Sequence, residues 1–351
     1  MGDERHTPEG IDQHGVTAWF AHHVPEAEAP LSFSLIAGGR SNLTFQVTDA
    51  TGERWVLRRP PLGQVLATAH DMGREHRIIS ALAPTLVPVP PTLAFCDDDS
   101  VTGAPFYVMA FVDGHVLRDR HLAEAAFDPA QRWTIGESVA DVLAEIHKVD
   151  PDVVGLGDLG RKEGYIERQL KRWYAQFQKS QQRPIPAVDT VHAALAAAVP
   201  PQGHATIVHG DYRLDNTMIG EDGRVSAVLD WELCTLGDPM ADVGLLAVYW
   251  ADPDDEIDAL GTSATGAEGF PRRDEVLERY AESAGRNIDN IDYYVAFGYW
   301  KLACILEGVH SRYAAGVMGD DGQAAELAAL FGGLVEQLAT EAERRIKELA
   351  R

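Results

Sequence analysis

Asp211, Asn216 and Asp230 are the residues of this chain whose types and spacing most directly suggest chemistry. They stand in His209-Gly210-Asp211-Tyr212-Arg213-Leu214-Asp215-Asn216 and in Val228-Leu229-Asp230-Trp231-Glu232. Phosphoryl transfer needs a carboxylate to orient the attacking hydroxyl and hard oxygen ligands for Mg²⁺. Asp211 can supply the first. Asn216, five residues on, and Asp230, fourteen residues further, can supply the second. A lone His-Gly-Asp is more often an acidic surface loop, but the full set with strand-like flanks points to a site.

The flanking sequence must position these groups. Residues 205–208 read as a buried strand ending at His209, and residues 216–219 and 225–229 as two short strands joined by a turn at Glu221-Asp222-Gly223. Such a hairpin would set Asp230 opposite the residues just before Asn216. Further on, Asp238 is a natural helix cap and Pro239 a natural first helical residue. Met240, Val243 and Ala247 then repeat at helical spacing. His209 and Asp242 read as supports of the Asp211 loop, Asp238 as part of the same brace, and Asp215 as solvated. Trp231 and Glu232 are candidates to face substrate, with hairpin packing as the alternative.

With these motifs the chain resembles the aminoglycoside phosphotransferase family of small-molecule kinases. It is most similar to the branch of kinase-like domains fused to acyl-CoA dehydrogenases. Gly237-Asp238-Pro239-Met240-Ala241-Asp242, residues 36–45 (IAGGRSNLTF) and residues 56–61 (VLRRPP) also match, so the resemblance spans roughly residues 30 to 340. It implies an α+β, bilobal, protein-kinase-like fold. An N-terminal extension (1–30) would precede an N-lobe of antiparallel sheet plus helix (31–112) and a mainly helical C-lobe (113–351). ATP would lie between the lobes, with Asp211 catalytic and Mg²⁺ held by Asn216 and Asp230. Gly39, Ser41 and Asn42 on a strand–loop–strand segment, Arg58 and Glu75 would serve the phosphates. Met109 would back the adenine, which the Ala110 carbonyl and the Val112 N–H would hydrogen-bond.

The residues support several of these parts independently. Arg54–Arg59 reads as a strand ended by Pro60-Pro61, and Arg58 stands where the kinase pattern has lysine; a guanidinium grips phosphate as a fork and is not interchangeable with an ammonium. Arg59 falls on the opposite face of a regular strand. A helix over 69–82 puts Glu75 among Met72, Ile79 and Leu82, and a carboxylate in an apolar stripe needs a partner, for which Arg58 is the obvious choice. Asp128-Pro129 caps a helix with Ile135, Val139, Val142 and Ile146 on one face. Residues 163–180 form an aromatic helix, with Tyr165, Trp173, Tyr174 and Phe177 as core or substrate wall. Residues 252–273 read as a loop or lid. Helices follow near 274–285, 291–314 and 321–350, the last packed on the body or used in a homodimer.

Composition narrows the function classes. A chain of 351 residues suits two domains, and its three cysteines form no C-x-x-C pair. A polar start and the lack of a long apolar run predict a cytoplasmic protein with no membrane partner. The formal charge of −24 disfavours nucleic acid, and either steers a cationic substrate or merely aids solubility. No Ala-Pro-Glu follows Asp230, and Trp231-Glu232 replaces Phe-Gly, so a small alcohol is a better acceptor than a protein. The expectation is an ATP- and Mg²⁺-dependent phosphotransferase acting on a small-molecule hydroxyl. The family name implies an aminoglycoside and the nearer branch a hydroxyacyl-CoA or similar metabolite. The alternative is a nucleotide-binding pseudokinase that acts as a scaffold.

Overall fold

Alternating apolar residues in the first third of the chain build an antiparallel sheet. Its strands are β1 (Ser32–Ala37), β2 (Leu43–Thr48), β3 (Arg54–Arg59), β4 (Thr92–Cys96) and β5 (Phe106–Ala110), in the order β1-β2-β3-β5-β4. The computed structural model describes residues 8–37, 42–62, 71–255, 263–316 and 324–349. The sheet belongs to a first compact unit, Met1–Gly114 with Ser226–Leu233; His115–Val225 with Cys234–Arg351 form a second.

The period of two along each strand sorts the sheet into two faces. Phe45, Val47, Trp55, Leu57, Phe106 and Val108 are buried on one face, in a cluster with Val16, Trp19 and Phe20 of helix α1 (Gln13–His23). Residues 12–24, expected in an N-terminal extension, therefore cover the sheet and complete this core. The other face carries Val56, Arg58, Tyr107 and Met109, and helix α2 (Met72–Leu82) packs against β4 and β5. α2 starts where the Asp71 side chain accepts the Arg74 N–H at 2.9 Å, and it ends at Leu82, with the Ala83 N–H still bonded to the Ile79 carbonyl and Pro84 unable to donate the next bond.

The second unit is helical around two short strand pieces. Its elements in chain order are α3 (Arg120–Ala126), α4 (Pro129–Lys148), α5 (Tyr165–Ser180), α6 (Pro186–Ala197), β6 (Thr206–Val208), β7 (Thr217–Ile219), β8 (Val225–Val228), β9 (Thr235–Gly237), α7 (Met240–Tyr249), α8 (Arg273–Ala284), α9 (Ile291–Ala314) and α10 (Ala324–Leu349). β8 leads out of this unit into Ser226–Leu233. α4 opens with a full capping box in which Asp128 and Gln131 bond each other's backbone, with Pro129 in the first turn. β6 and β9 pair antiparallel, and the Glu221-Asp222-Gly223 turn is closed by Gly220 N–H to Arg224 C=O at 2.8 Å. α7 starts one residue later than the sequence suggests: Pro239 takes the cap position, and Asp238 Oδ1 accepts the Met240 N–H at 3.1 Å.

α9 is the axis of the second unit. Residues 293–304 are buried throughout, and α5, α6, α7 and α10 all contact the helix. The α7–α9 crossing depends on glycine. A Cβ on Gly244 would meet the Tyr294 backbone carbon and oxygen at 2.5 Å. Gly244→Ala gains about 1 kcal/mol of helix propensity, but a clash with backbone cannot be relieved by a rotamer change, and overpacking costs about 1–3 kcal/mol. Because the contact is this short, the upper end of that range should win. Denaturant titration of Gly244→Ala should therefore show a net loss of stability; equal or higher stability would mean that the two helices can slide apart at no cost.

Candidate active site

The loop that follows β6 is pinned by one carboxylate. Asp242, on the first turn of α7 and 1% exposed, accepts the His209 N–H at 2.6 Å and the Gly210 N–H at 2.9 Å. Burial alone would raise its pKa, but the hydrogen bonds from His147 and the Gly210 N–H hold it below the usual carboxylate range. His147, on α4, lies 3.4 Å from Asp242 Oδ2 through Nε2 and 2.7 Å from the Tyr280 hydroxyl through Nδ1. Burial keeps this imidazole neutral. The tautomer that fits donates from Nε2 to Asp242 and accepts at Nδ1 from Tyr280.

From this anchor the loop turns sharply. Gly210 has φ 89°, a left-handed conformation that suits glycine. The Asp211 N–H then donates back to His209 Nδ1 at 3.3 Å. A short 3₁₀ turn over Leu214–Asn216 closes the five-residue interval. Asn216 Nδ2 donates both to the Asp211 carbonyl at 2.8 Å and to Asp211 Oδ2 at 3.0 Å. Both partners only accept, so the amide orientation is fixed and Asn216 Oδ1 points away from them. Arg213 Nε lies 3.6 Å from Asp211 Oδ2, and its Nη2 lies 3.3 Å from Asp215 Oδ2. Its guanidinium covers the Tyr249 ring at 5.0 Å. Burial, followed by the Asp211 charge, pushes the Tyr249 phenol up, which places it beside that carboxylate.

The first unit carries a second polar cluster. Cross-strand register sets Arg58 beside Thr44 on β2 and Tyr107 on β5. Arg58 Nε reaches Glu75 Oε2 at 3.2 Å, and Nη2 reaches Asp230 Oδ1 at 2.5 Å. Glu75 is 2% exposed, and burial raises its pKa against the pull of Arg58. Burial would lower the Arg58 pKa, but the charges of Glu75, Asp230 and Glu232 hold it up. Asp230 itself has φ 62°, the one non-glycine residue with positive φ among the described residues. Such strain persists only where neighbours over-determine it, and here the Arg58 bond does so. The Oδ2 of Asp230 has no protein partner among the described residues.

Residues 32–283 match the model of the phosphotransferase enzyme family. The chain belongs to that family. It is 37% identical over 291 residues to acyl-CoA dehydrogenase family member 10 of Mus musculus, a match covering 82% of this chain and 27% of that protein. The chain spans less than half the length of the curated relatives it matches. A Ralstonia eutropha protein proposed to be an aminoglycoside phosphotransferase superposes with a TM-score of 0.80 at 35% identity, covering 95% of this chain and 98% of that one. The ternary complex of APH(2″)-IIa with streptomycin and ATP shares the fold at a TM-score of 0.58 and 14% identity, covering 85% and 90% of the two chains.

For this phosphotransferase-family chain, the structure distributes the expected site residues as follows. Asp211, Asn216, His209 and Asp242 come together in the second unit; Arg58, Glu75, Asp230 and Glu232 come together in the first. Asn42 is buried, and its Nδ2 donates to Glu232 Oε2 at 3.1 Å. Gly39 and Ser41 lie outside the described residues. Met109 is buried in β5. Ala110 uses its N–H on Pro91 C=O at 2.8 Å, whereas the Val112 N–H has no partner among the described residues. Asp238 is tied to α9 through the Tyr294 hydroxyl at 2.7 Å, one step removed from the loop. Arg59 turns to the other sheet face and donates to the Gly10 and Thr102 carbonyls.

Two expectations need correction. Trp231, a candidate to face substrate, is fully buried, and its indole N–H is consumed by Val228 C=O at 3.0 Å, so it packs the end of β8. Asp215, expected to be solvated, is paired with Arg213 and partly buried, and burial raises its pKa. Sequence reasoning also missed Tyr249, His147, Tyr280 and Lys301, which approach the loop from distant helices. Lys301 did leave a signal, as a lone charge inside Phe297-Gly298-Tyr299-Trp300-Lys301-Leu302-Ala303.

The Arg58 cluster yields a quantitative expectation. Arg58→Met leaves Glu75 buried without a counter-charge, and Glu75→Gln relieves it. Stability effects of the two changes should be non-additive by about 0.5–3 kcal/mol in a double-mutant cycle. Arg58→Lys should restore only part, since one ammonium cannot fork to both Glu75 and Asp230. Additive effects would show that the two side chains do not depend on each other.

Proposed function

We propose that this chain is an ATP- and Mg²⁺-dependent phosphotransferase that phosphorylates a hydroxyl of a small molecule. The observation that carries the reading is the Asp211–Asn216 arrangement. A carboxylate and an amide five residues apart are locked together on a loop that Asp242 holds by two backbone N–H groups. Family membership and the ATP-bound fold relative support the nucleotide.

The residues fit a hard divalent cation. Asn216 has Oδ1 left over once both its N–H groups are used, and Asp230 has Oδ2 left over beside Arg58. Among the described residues no group of three or more His, Cys, Asp or Glu forms a cage of its own. Mg²⁺ is commonly held by one or two protein oxygens together with substrate phosphates, and this donor set matches that habit. Asn216 and Asp230 are the proposed ligands, and the ion would neutralise charge on the phosphates it touches.

Asp211 accepts a hydrogen bond from the acceptor hydroxyl and orients its lone pair in line with the γ-phosphorus. The new O–P bond forms as the bond from the γ-phosphorus to the bridging oxygen breaks. ADP leaves with that electron pair, and the hydroxyl proton passes to the Asp211 carboxylate. Asn216, bonded to Asp211 Oδ2, keeps the carboxylate from rotating away. Arg58 is proposed to meet the α- and β-phosphates as a fork, and the Val112 N–H and Ala110 carbonyl the adenine, which Met109 backs. Asn42, with Gly39 and Ser41, is proposed for the phosphate loop.

ATP should raise the melting temperature of the protein mainly when Mg²⁺ is present, and Asp230→Ala should abolish the Mg²⁺-dependent part. Equal stabilisation with and without the metal would count against the assignment of Asn216 and Asp230. Asp211→Asn should keep Mg·ATP affinity while cutting turnover by about 10²-fold or more, as expected for loss of a positioned base. If turnover on a verified acceptor were unchanged, Asp211 would lose its role. Nucleotide binding without transfer to any alcohol would favour a scaffold.

A further inference from the structure

The chain carries a net charge of −24, yet a buried cation without an ion-pair partner sits beside the Asp211 loop. Lys301 of α9 is 8% exposed. Its ammonium donates to the carbonyl of Gly210, the residue before Asp211, at 3.2 Å, and stands 5.8 Å from the centre of the Trp173 ring. Among the described residues no carboxylate lies within ion-pair distance of it. An ammonium has three donors, and the Gly210 carbonyl takes one of them. Burying a charge so poorly compensated is costly, which marks Lys301 as a group waiting for a partner.

A second cation lies against the same ring. Arg172 of α5 places its guanidinium carbon 5.0 Å from the Trp173 ring centre. Burial pushes the Lys301 ammonium down, and the Arg172 charge pushes the same way, while Asp211 and Asp242 oppose them. One turn earlier on α5, Arg168 has a buried Nη1 with no hydrogen-bond partner among the described residues. Residues four apart lie on one helix face, so Arg168 and Arg172 form a basic edge on a helix that packs against α9. Two like charges on one ring repel, and an anion held by both would remove that cost.

We propose that Lys301 and Arg172 bind an anionic group, a carboxylate or a phosphate, on the acceptor whose hydroxyl Asp211 orients. This rests on the phosphotransferase reading above and specifies its substrate. The residues proposed for adenine and for the α- and β-phosphates all belong to the first unit. Lys301 and Arg172 belong to the second, with Asp211, which assigns them to the acceptor. A polycationic acceptor such as an aminoglycoside would bring its ammonium groups against Lys301 and Arg172 and be repelled. Trp173, expected as core or substrate wall, serves as the platform that holds the two cations.

The test uses matched alcohols with the full chain and Mg·ATP: 5-hydroxypentanoate against 5-hydroxypentanamide, glycerol 3-phosphate against glycerol, and kanamycin as a cationic alcohol. In ADP-release assays the charged member of at least one pair should exceed its neutral twin in kcat/KM by about 10- to 100-fold, the range of one charge-assisted hydrogen bond. The two pairs show whether carboxylate or phosphate is preferred. Lys301→Met should erase that preference through KM, leave Mg·ATP affinity by calorimetry unchanged, and not lower the melting temperature. Lys301→Arg should rescue part of the preference. Arg172→Gln, at an exposed position, gives the same readout without a core change. Neutral alcohols or kanamycin used as well as the anions would overturn the proposal. So would a Lys301→Met variant that binds Mg·ATP more weakly but keeps its anion preference. Where no alcohol turns over, calorimetry with the same pairs decides, since absence of anion-selective, Lys301-dependent binding overturns it. Failure to bind Mg·ATP at all would instead remove the phosphotransferase reading, and this proposal with it.

Discussion

The Asp242 carboxylate is the constraint on which the Asp211 loop depends. Two successive backbone N–H groups, His209 and Gly210, converge on one buried side chain. A neutral acceptor would leave part of that demand unmet, whereas a carboxylate offers two oxygens and about four lone pairs. The charge it brings indoors is then balanced by hydrogen bonds, with His147 behind it, whose pKa burial lowers and whose Nδ1 meets the Tyr280 hydroxyl. Charge-assisted hydrogen bonds of this kind are roughly twice as strong as neutral ones. The loop is therefore stiff before any ligand arrives, and Asp211 and Asn216 inherit that stiffness. Pre-organised groups need no reorganisation at the moment of reaction, where electrostatic stabilisation has its largest effect.

The global charge and the local charge of this protein have opposite signs where it matters. An excess of carboxylates keeps the molecule strongly anionic, but Arg58 pairs with Asp230, Arg213 lies beside Asp211, and Lys301 bonds the Gly210 carbonyl next to it. Phosphates approaching an acidic protein meet an unfavourable long-range field, which salt screens within about 8–10 Å. Buried cations act inside that distance and at lower dielectric, so they outweigh the diffuse field. Choice of cation also has a physical reason. Arg58 must satisfy Glu75 and Asp230 from two nitrogens of one planar group, with Thr44 Oγ1 at 3.4 Å from a third. An ammonium has no fixed fork with which to reach all three.

Much of this was legible in the residues themselves. The strand–loop–strand reading around Asn42, the strand at Arg54–Arg59 and the cap at Asp128 predicted elements that the structure contains. Placing Glu75 in an apolar helical stripe was enough to predict its partner, because a buried carboxylate without one is too costly. The five-residue interval singled out Asp211 and Asn216, which the structure joins by a hydrogen bond. The failures share a cause. Trp231 and Asp215 were judged from local polarity, whereas their burial is decided by elements far away in the chain. The role of α1 was invisible for the same reason: its Val16, Trp19 and Phe20 matter only once the sheet exists to receive them. His147, Tyr249, Tyr280 and Lys301 lie up to 91 residues from the loop groups they serve, and no local pattern encodes such a distance.

The strained residue ties these threads together. Asp230 adopts a backbone conformation that costs on the order of 1–3 kcal/mol for a non-glycine, and glycine there would avoid the cost. Glycine, however, would lose the carboxylate that pairs with Arg58. The adjoining Trp231–Leu233 turn packs on α2, and the Trp231 indole closes on Val228. Trp231 is thus not a substrate contact but the anchor that holds Asp230 in its unfavourable geometry. Its full burial supplies the packing energy, at about 25 cal/mol per Å² of apolar surface, against which the strain is small. The same segment places Glu232 where Asn42 and Arg74 can bond it, so one short turn sets Asp230 beside Arg58 and Glu232 beside Asn42.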